Sequence, residues 1–137
     1  MPSFVTKLTE DQKVDIARYL MKQHWAIDKS EEQLIKSLNH SDNFALIEDE
    51  VIAYVRVIND RSTFAYIRDV FVKEKYRANG HAQFLFEKIF SDDRFKTIDN
   101  WNLRTKYAHK LYEKFDFEVV SDEYAKRLMV RLKRIKN

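Results

Sequence analysis

A chain of 137 residues, 45% hydrophobic and 14% aromatic, carries enough apolar side chain for one core of ordinary size. Cysteine is absent, which excludes disulfides, thiol nucleophiles and Cys-ligated zinc. The formal charge of +3 admits an anionic ligand but supplies no basic stripe for nucleic acid. No apolar run approaches the roughly 18 residues of a membrane span, so a soluble cytoplasmic protein is the expectation.

Phe4 to Lys7 reads as a first strand. Thr9-Glu10-Asp11-Gln12 has the form of a capping box and predicts a helix to about Gln23, with Val14, Ile16, Ala17, Leu20 and Met21 inward. Ser30-Glu31-Glu32-Gln33 repeats the device and predicts a second helix to about Leu38, burying Leu34 and Ile35. Asn43 to Glu48, Val51 to Asn59 and Thr63 to Val72 form an antiparallel meander with turns at Asp49-Glu50 and Asp60-Arg61-Ser62. From Ala82 the period changes. Ala82, Leu85, Phe86, Ile89 and Phe90 share one helical face. Lys96 to Arg104 is predicted as a strand, Lys106 to Lys114 as a helix capped by Thr105, and Phe117 to Ser121 and Lys126 to Lys133 as two closing strands.

The junction at Arg77-Ala78-Asn79-Gly80-His81-Ala82 organises this pattern. Gly80 is the one glycine of the chain. It sits where a strand gives way to a helix, and the first N–H groups of a helix lack intrahelical acceptors. With the helix dipole, those amides form an anion site that a pyrophosphate can reach when the side chains are small. Arg77 adds a full charge. Neither the triphosphate loop nor the three-glycine dinucleotide fingerprint is present.

Those six residues resemble the R/Q-x-x-G-x-G/A motif of the GNAT N-acetyltransferase superfamily, whose loop binds the pyrophosphate of acetyl-CoA. A second segment, Thr105-x-x-Ala108-x-x-Leu111-Tyr112-Glu113-Lys114-Phe115-Asp116-Phe117, is similar to the family's N-x-x-A-x-x-x-Y-x-x-x-G-F. The runs Ala53 to Asp60 and Thr63 to Val72 also resemble a small bacterial subgroup with no agreed substrate. The resemblance implies a single α/β GNAT-fold domain over residues 1–137. Its sheet would be mixed and mostly antiparallel, with splayed central strands in the order β-α-α-β-β-β-α-β-α-β-β.

The implied activity is acetyl transfer from acetyl-CoA to an amine of a small molecule or protein; the alternative is a non-catalytic acyl-CoA-binding or interaction module. The implied cofactor contacts are Val70, Phe71 and Val72 on the splayed strand, Arg77, Ala78, Asn79, Gly80, His81 and Ala82 in the loop, and Thr105. Tyr112 is placed as the acid that returns a proton to the leaving sulfur. Trp25, Arg68 and Asp69 are substrate-side candidates, with Asp69, Glu50 and Asp60 as possible bases. Two departures stand out: Asp116 replaces the usual glycine, predicting a left-handed residue there, and Thr105 replaces a frequent asparagine. His24, His40, His81 and His109 show no metal-ligand spacing. The remaining expectations are no metal, no nucleic acid, no membrane, and a monomer or homodimer.

Overall fold

The structure, a computed structural model, describes residues 1–23, 26 and 28–133. The chain forms two compact units, Met1–Arg104 and Thr105–Asn137.

The first unit is a five-stranded sheet covered on both faces. Its elements are β1 (Ser3–Val5), α1 (Glu10–Met21), α2 (Glu31–Asn39), β2 (Asp42–Glu48), β3 (Glu50–Asn59), β4 (Phe64–Val72), α3 (His81–Phe90) and β5 (Asn100–Asn102). The strands lie in sequence order. All neighbours are antiparallel except β4 and β5, which the α3 crossover makes parallel.

The capping box forms at the first helix, and at the second the N-cap half of it forms. The Thr9 hydroxyl accepts the Gln12 N–H at 3.2 Å while the Gln12 side chain accepts the Thr9 N–H at 3.0 Å. The Ser30 hydroxyl accepts the Gln33 N–H at 3.0 Å. These bonds satisfy amides that have no intrahelical acceptor, each worth about 1 kcal/mol. Ile16, Ala17 and Leu20 of α1, with Leu34 and Leu38 of α2, pack against Ala45, Val51, Tyr54 and Phe71 on one face of the sheet. Leu85, Phe86 and Ile89 of α3 are buried over the opposite face. That double coverage is why β3 is buried without interruption from Val51 to Val57.

Three boundaries differ from the sequence reading. The first strand ends at Val5. The predicted strand 96–104 shrinks to Asn100–Asn102, because the Asp92 carboxylate caps a 3₁₀ turn over Asp93–Phe95 and keeps the preceding chain curled. The predicted helix 106–114 shortens to α4 (His109–Glu113). The Thr105 hydroxyl accepts the Ala108 N–H at 3.0 Å, so it supports the approach to the helix and not its first turn.

The second unit holds α4 and α5 (Asp122–Ala125). The two closing strands are not formed. Phe117 to Ser121 is irregular, and Ser121 caps α5 by accepting the Tyr124 N–H at 3.1 Å. Lys126 to Lys133 carries no strand, and Leu128, Val130 and Leu132 are exposed. Alternating apolar residues specify a strand only where a ladder receives it, and no ladder forms among the described residues of this unit.

Candidate active site: a bulged strand, a left-handed loop and a helix start

The site grows from the upper half of β4. β5 pairs with β4 only at Phe64, Ala65 and Tyr66. Beyond Tyr66, β3 is the only strand that pairs with β4 among the described residues. The Lys73 N–H donates to the Ile52 carbonyl at 2.9 Å. Backbone groups alternate direction along a strand, so Phe71 also faces β3, whereas Val70 and Val72 turn their N–H and C=O groups to the open side. Phe71 therefore differs from its expected role: its amide serves the ladder and its ring stacks on Tyr19 with centroids 4.3 Å apart.

Between the β5-paired half and the open half lies a bulge. β4 takes three steps from Arg68 to Phe71 where β3 takes two from Arg56 to Tyr54. The surplus residue is Asp69, at φ 57. Its Oδ2 accepts a bond from Arg56 Nε at 2.7 Å, and both side chains are buried. Arg68 lies beside it, half-exposed, with Nε 4.0 Å from Asp69 Oδ1.

After Val72 the chain makes a 3₁₀ turn over Glu74–Tyr76 and enters the loop. Lys73 anchors the turn, its Nζ held by Asp15 at 2.6 Å and Glu50 at 2.9 Å. Burial works against the Lys73 charge, but these two carboxylates raise its pKa. Arg77 Nε donates to the Val72 carbonyl at 2.9 Å, fixing the exposed guanidinium at the end of β4. The Asn79 amide donates to the carbonyls of Tyr76 at 3.0 Å and Arg77 at 3.1 Å. Ala78 and Gly80 are both left-handed, at φ 65 and φ 74. The first intrahelical bond of α3 runs from the Phe84 N–H to the Gly80 carbonyl. The His81 and Ala82 amides lie ahead of it, at the positive end of the helix dipole.

These residues fit a pyrophosphate. A Cβ built on Gly80 would meet nothing within 4 Å, so the backbone there is open to an incoming group. The open amides of β4 lead toward that point from one side, and Arg77 supplies charge.

Of the other predicted positions, Trp25 lies outside the described residues. Thr105 and Tyr112 belong to the second unit. There Tyr112 is buried, and burial pushes its phenol up to about 12. The three carboxylates considered as bases are already engaged. Asp69 is ion-paired to Arg56. Glu50 is held at about 2 by hydrogen bonds from Lys73 and Lys75 and, further, by the Tyr76 hydroxyl. Asp60 is held well below the usual range by the Thr63 hydroxyl and the N–H groups of Thr63, Ser62 and Phe64. Arg56 is a site-supporting residue that motif spacing does not reveal, although a lone charge in the apolar run Val51 to Ile58 is a visible signal. No His, Asp or Glu cluster among the described residues could hold a metal, and no described helix is long and apolar enough to cross a membrane.

The family model of the acetyltransferase (GNAT) domain matches residues 39–119, and the chain belongs to the GNAT acetyltransferases. Among solved structures it is similar to a candidate GNAT acetyltransferase from Xanthomonas campestris pv. campestris, at 28% identity, TM-score 0.84 and coverage of 97% of this chain and 95% of that one. A protein of unknown function from methicillin-resistant Staphylococcus aureus, a candidate acetyltransferase, aligns over 100% of both chains at 22% identity and TM-score 0.72. A candidate acetyltransferase from Clostridium acetobutylicum, crystallised with acetyl-CoA, shares the fold at 15% identity and TM-score 0.68, covering 97% of this chain and 96% of that one. No protein of curated function matches the chain.

Proposed function

We propose that this protein transfers an acetyl group from acetyl-CoA to an amine of a small molecule or protein, with residues 1–137 acting as one catalytic domain. The observation that supports this reading is the continuity of the open β4 edge with the left-handed loop and the start of α3. Backbone donors at Val70 and Val72 suit the amide-bearing pantetheine arm, and the His81 and Ala82 amides with Arg77 suit its pyrophosphate. Ala78 and Asn79 shape the loop and leave it small and open. When bound, acetyl-CoA supplies an activated thioester. The chain's part is to hold that thioester in place, exclude competing water, and return a proton to the departing sulfur. Tyr112 is assigned the last task because it stands at the tyrosine position of the second family segment and its phenol carries a proton at neutral pH. Thr105 and the half-exposed Arg68 are assigned to the cofactor and acceptor sides respectively.

The test is CoA release from acetyl-CoA with a panel of small amines and Lys- or amino-terminal peptides, after CoA binding has been measured by calorimetry. Binding with amine-dependent turnover is the expected result. Binding without turnover on any amine would identify a non-catalytic acyl-CoA module, and absence of binding would overturn the reading.

A further inference from the structure

We propose that Arg56 and Asp69 are positioning residues for the acyl-CoA slot, their buried ion pair locking the bulge that bends β4 away from β5. The inference rests on the functional reading above.

A non-glycine residue at φ 57 inside a strand persists only where its surroundings hold it. Here the hold can be traced bond by bond. Asp69 Oδ2 accepts from Arg56 Nε at 2.7 Å, with side-chain exposures of 4% and 9%. Arg56 Nη1 donates to the Ser41 hydroxyl at 3.0 Å. The Ser41 hydroxyl donates in turn to the Ser37 carbonyl of α2 at 2.8 Å. A continuous polar chain thus runs from the last turn of α2, across β3, to the surplus residue of β4.

Stability does not explain such a pair. Desolvation offsets much of the attraction between buried charges, and apolar residues often serve a core as well. What the pair specifies is a conformation. A bulge bends its strand and increases the local twist. β5 leaves β4 at Tyr66, just before this bulge, and Val70 and Val72 come just after it. The lock therefore sits at the hinge of the opening. Neither residue need touch a ligand: the pair acts through the backbone that carries the Val70 and Val72 amides.

Two substitutions separate this role from plain folding. Asp69→Gly takes the left-handed conformation without penalty but has no carboxylate. Asp69→Asn tolerates that conformation and keeps an oxygen for Arg56. In the parent protein, CoA should slow amide exchange at Val70 and Val72, read by NMR. In Asp69→Gly, that protection should be lost and CoA affinity should fall roughly tenfold or more, as expected when a positioning group is displaced. In Asp69→Asn, affinity should recover to within about threefold of the parent, because the neutral amide still meets Arg56. Should Asp69→Gly not fold, Arg56→Met/Asp69→Gly removes the orphaned charge and is read in the same way. Parent-like affinity and protection in a folded glycine variant would overturn the positioning role alone. Failure of the parent to bind CoA would instead remove the functional reading, and this inference with it.

Discussion

The Phe117 N–H donates to the Tyr112 carbonyl at 3.2 Å, and the two rings meet edge to face with centroids 6.0 Å apart. Between them Asp116 is left-handed, at φ 67, and its N–H donates to the Glu113 carbonyl at 3.2 Å. These bonds and the ring contact form one helix-ending motif, in which a left-handed residue closes the last turn and an apolar pair straddles it. A tyrosine, a left-handed residue and a phenylalanine at this spacing are thus a mechanical unit. The motif also anchors the backbone that carries the Tyr112 phenol.

Asp116→Gly should be neutral to stabilising. The left-handed conformation costs a non-glycine residue about 1–2 kcal/mol. Glycine's greater freedom in the unfolded chain takes back roughly 0.4–1 kcal/mol. Thermal unfolding measures the balance, and a clear drop in Tm would reveal a stabilising contact of the exposed carboxylate.

Tyr112→Phe keeps the ring, so CoA affinity should stay nearly constant. Loss of the proton donor should lower kcat by about 10²–10⁴ on any amine the parent acetylates. That split marks an interaction made in the transition state and not in the ground state. Unchanged kcat would leave Tyr112 a packing residue.

Gly80→Val should fold, because a Cβ there meets nothing within 4 Å and the cost is the strain of φ 74. That strain is about 1–2 kcal/mol for an ordinary L-residue and more for a β-branched one, still within the stability of an ordinary domain. CoA affinity should fall far more than stability, since the branched side chain fills the space open to the pyrophosphate. Equal affinity in a folded Gly80→Val protein, measured by calorimetry, would remove the pyrophosphate from this loop.

Glu50 gives a pH signature. Hydrogen bonds from Lys73 and then Lys75 lower its pKa from the ordinary 4.5 to about 2. A carboxylate depressed in the folded state contributes stability above its unfolded pKa and loses it as pH falls through the folded one. The parent should therefore have the higher Tm against Glu50→Gln at neutral pH, with the gap closing between about pH 4.5 and 2. A gap that stays constant to pH 2 would mean that the network holds by packing and not by charge.

Both N-caps, the hairpins, the helix after Gly80 and the left-handed Asp116 are legible in the sequence, because each depends on neighbours a few residues away. The bulge is not. Ala65, Ile67, Asp69 and Phe71 are all buried, so β4 reads as one unbroken period of two. Yet Ile67 lies opposite Val57, on the α3 face, whereas Phe71 lies opposite Tyr54, on the α1 face. A sheet covered on both sides lets the faces change while burial keeps its period, and the charge of Asp69 is what marks the change in the sequence. The bond between Lys73 and Asp15 spans 58 residues, and no local pattern announces it. Lys126 to Lys133 errs the other way: its alternation is clean, but no ladder receives it.

The bulge also sets a genetic distance. Removing the single codon for Asp69 would bring β4 into one continuous register with β3, since the surplus is one residue. Val70, Phe71 and Val72 would keep their partners and their faces, while Arg56 would lose its buried carboxylate partner. What would vanish is the bend. If the bulge sets the opening as proposed, one in-frame deletion separates a bent β4 from a straight one, and a survey of natural length variation in β4 would test that link.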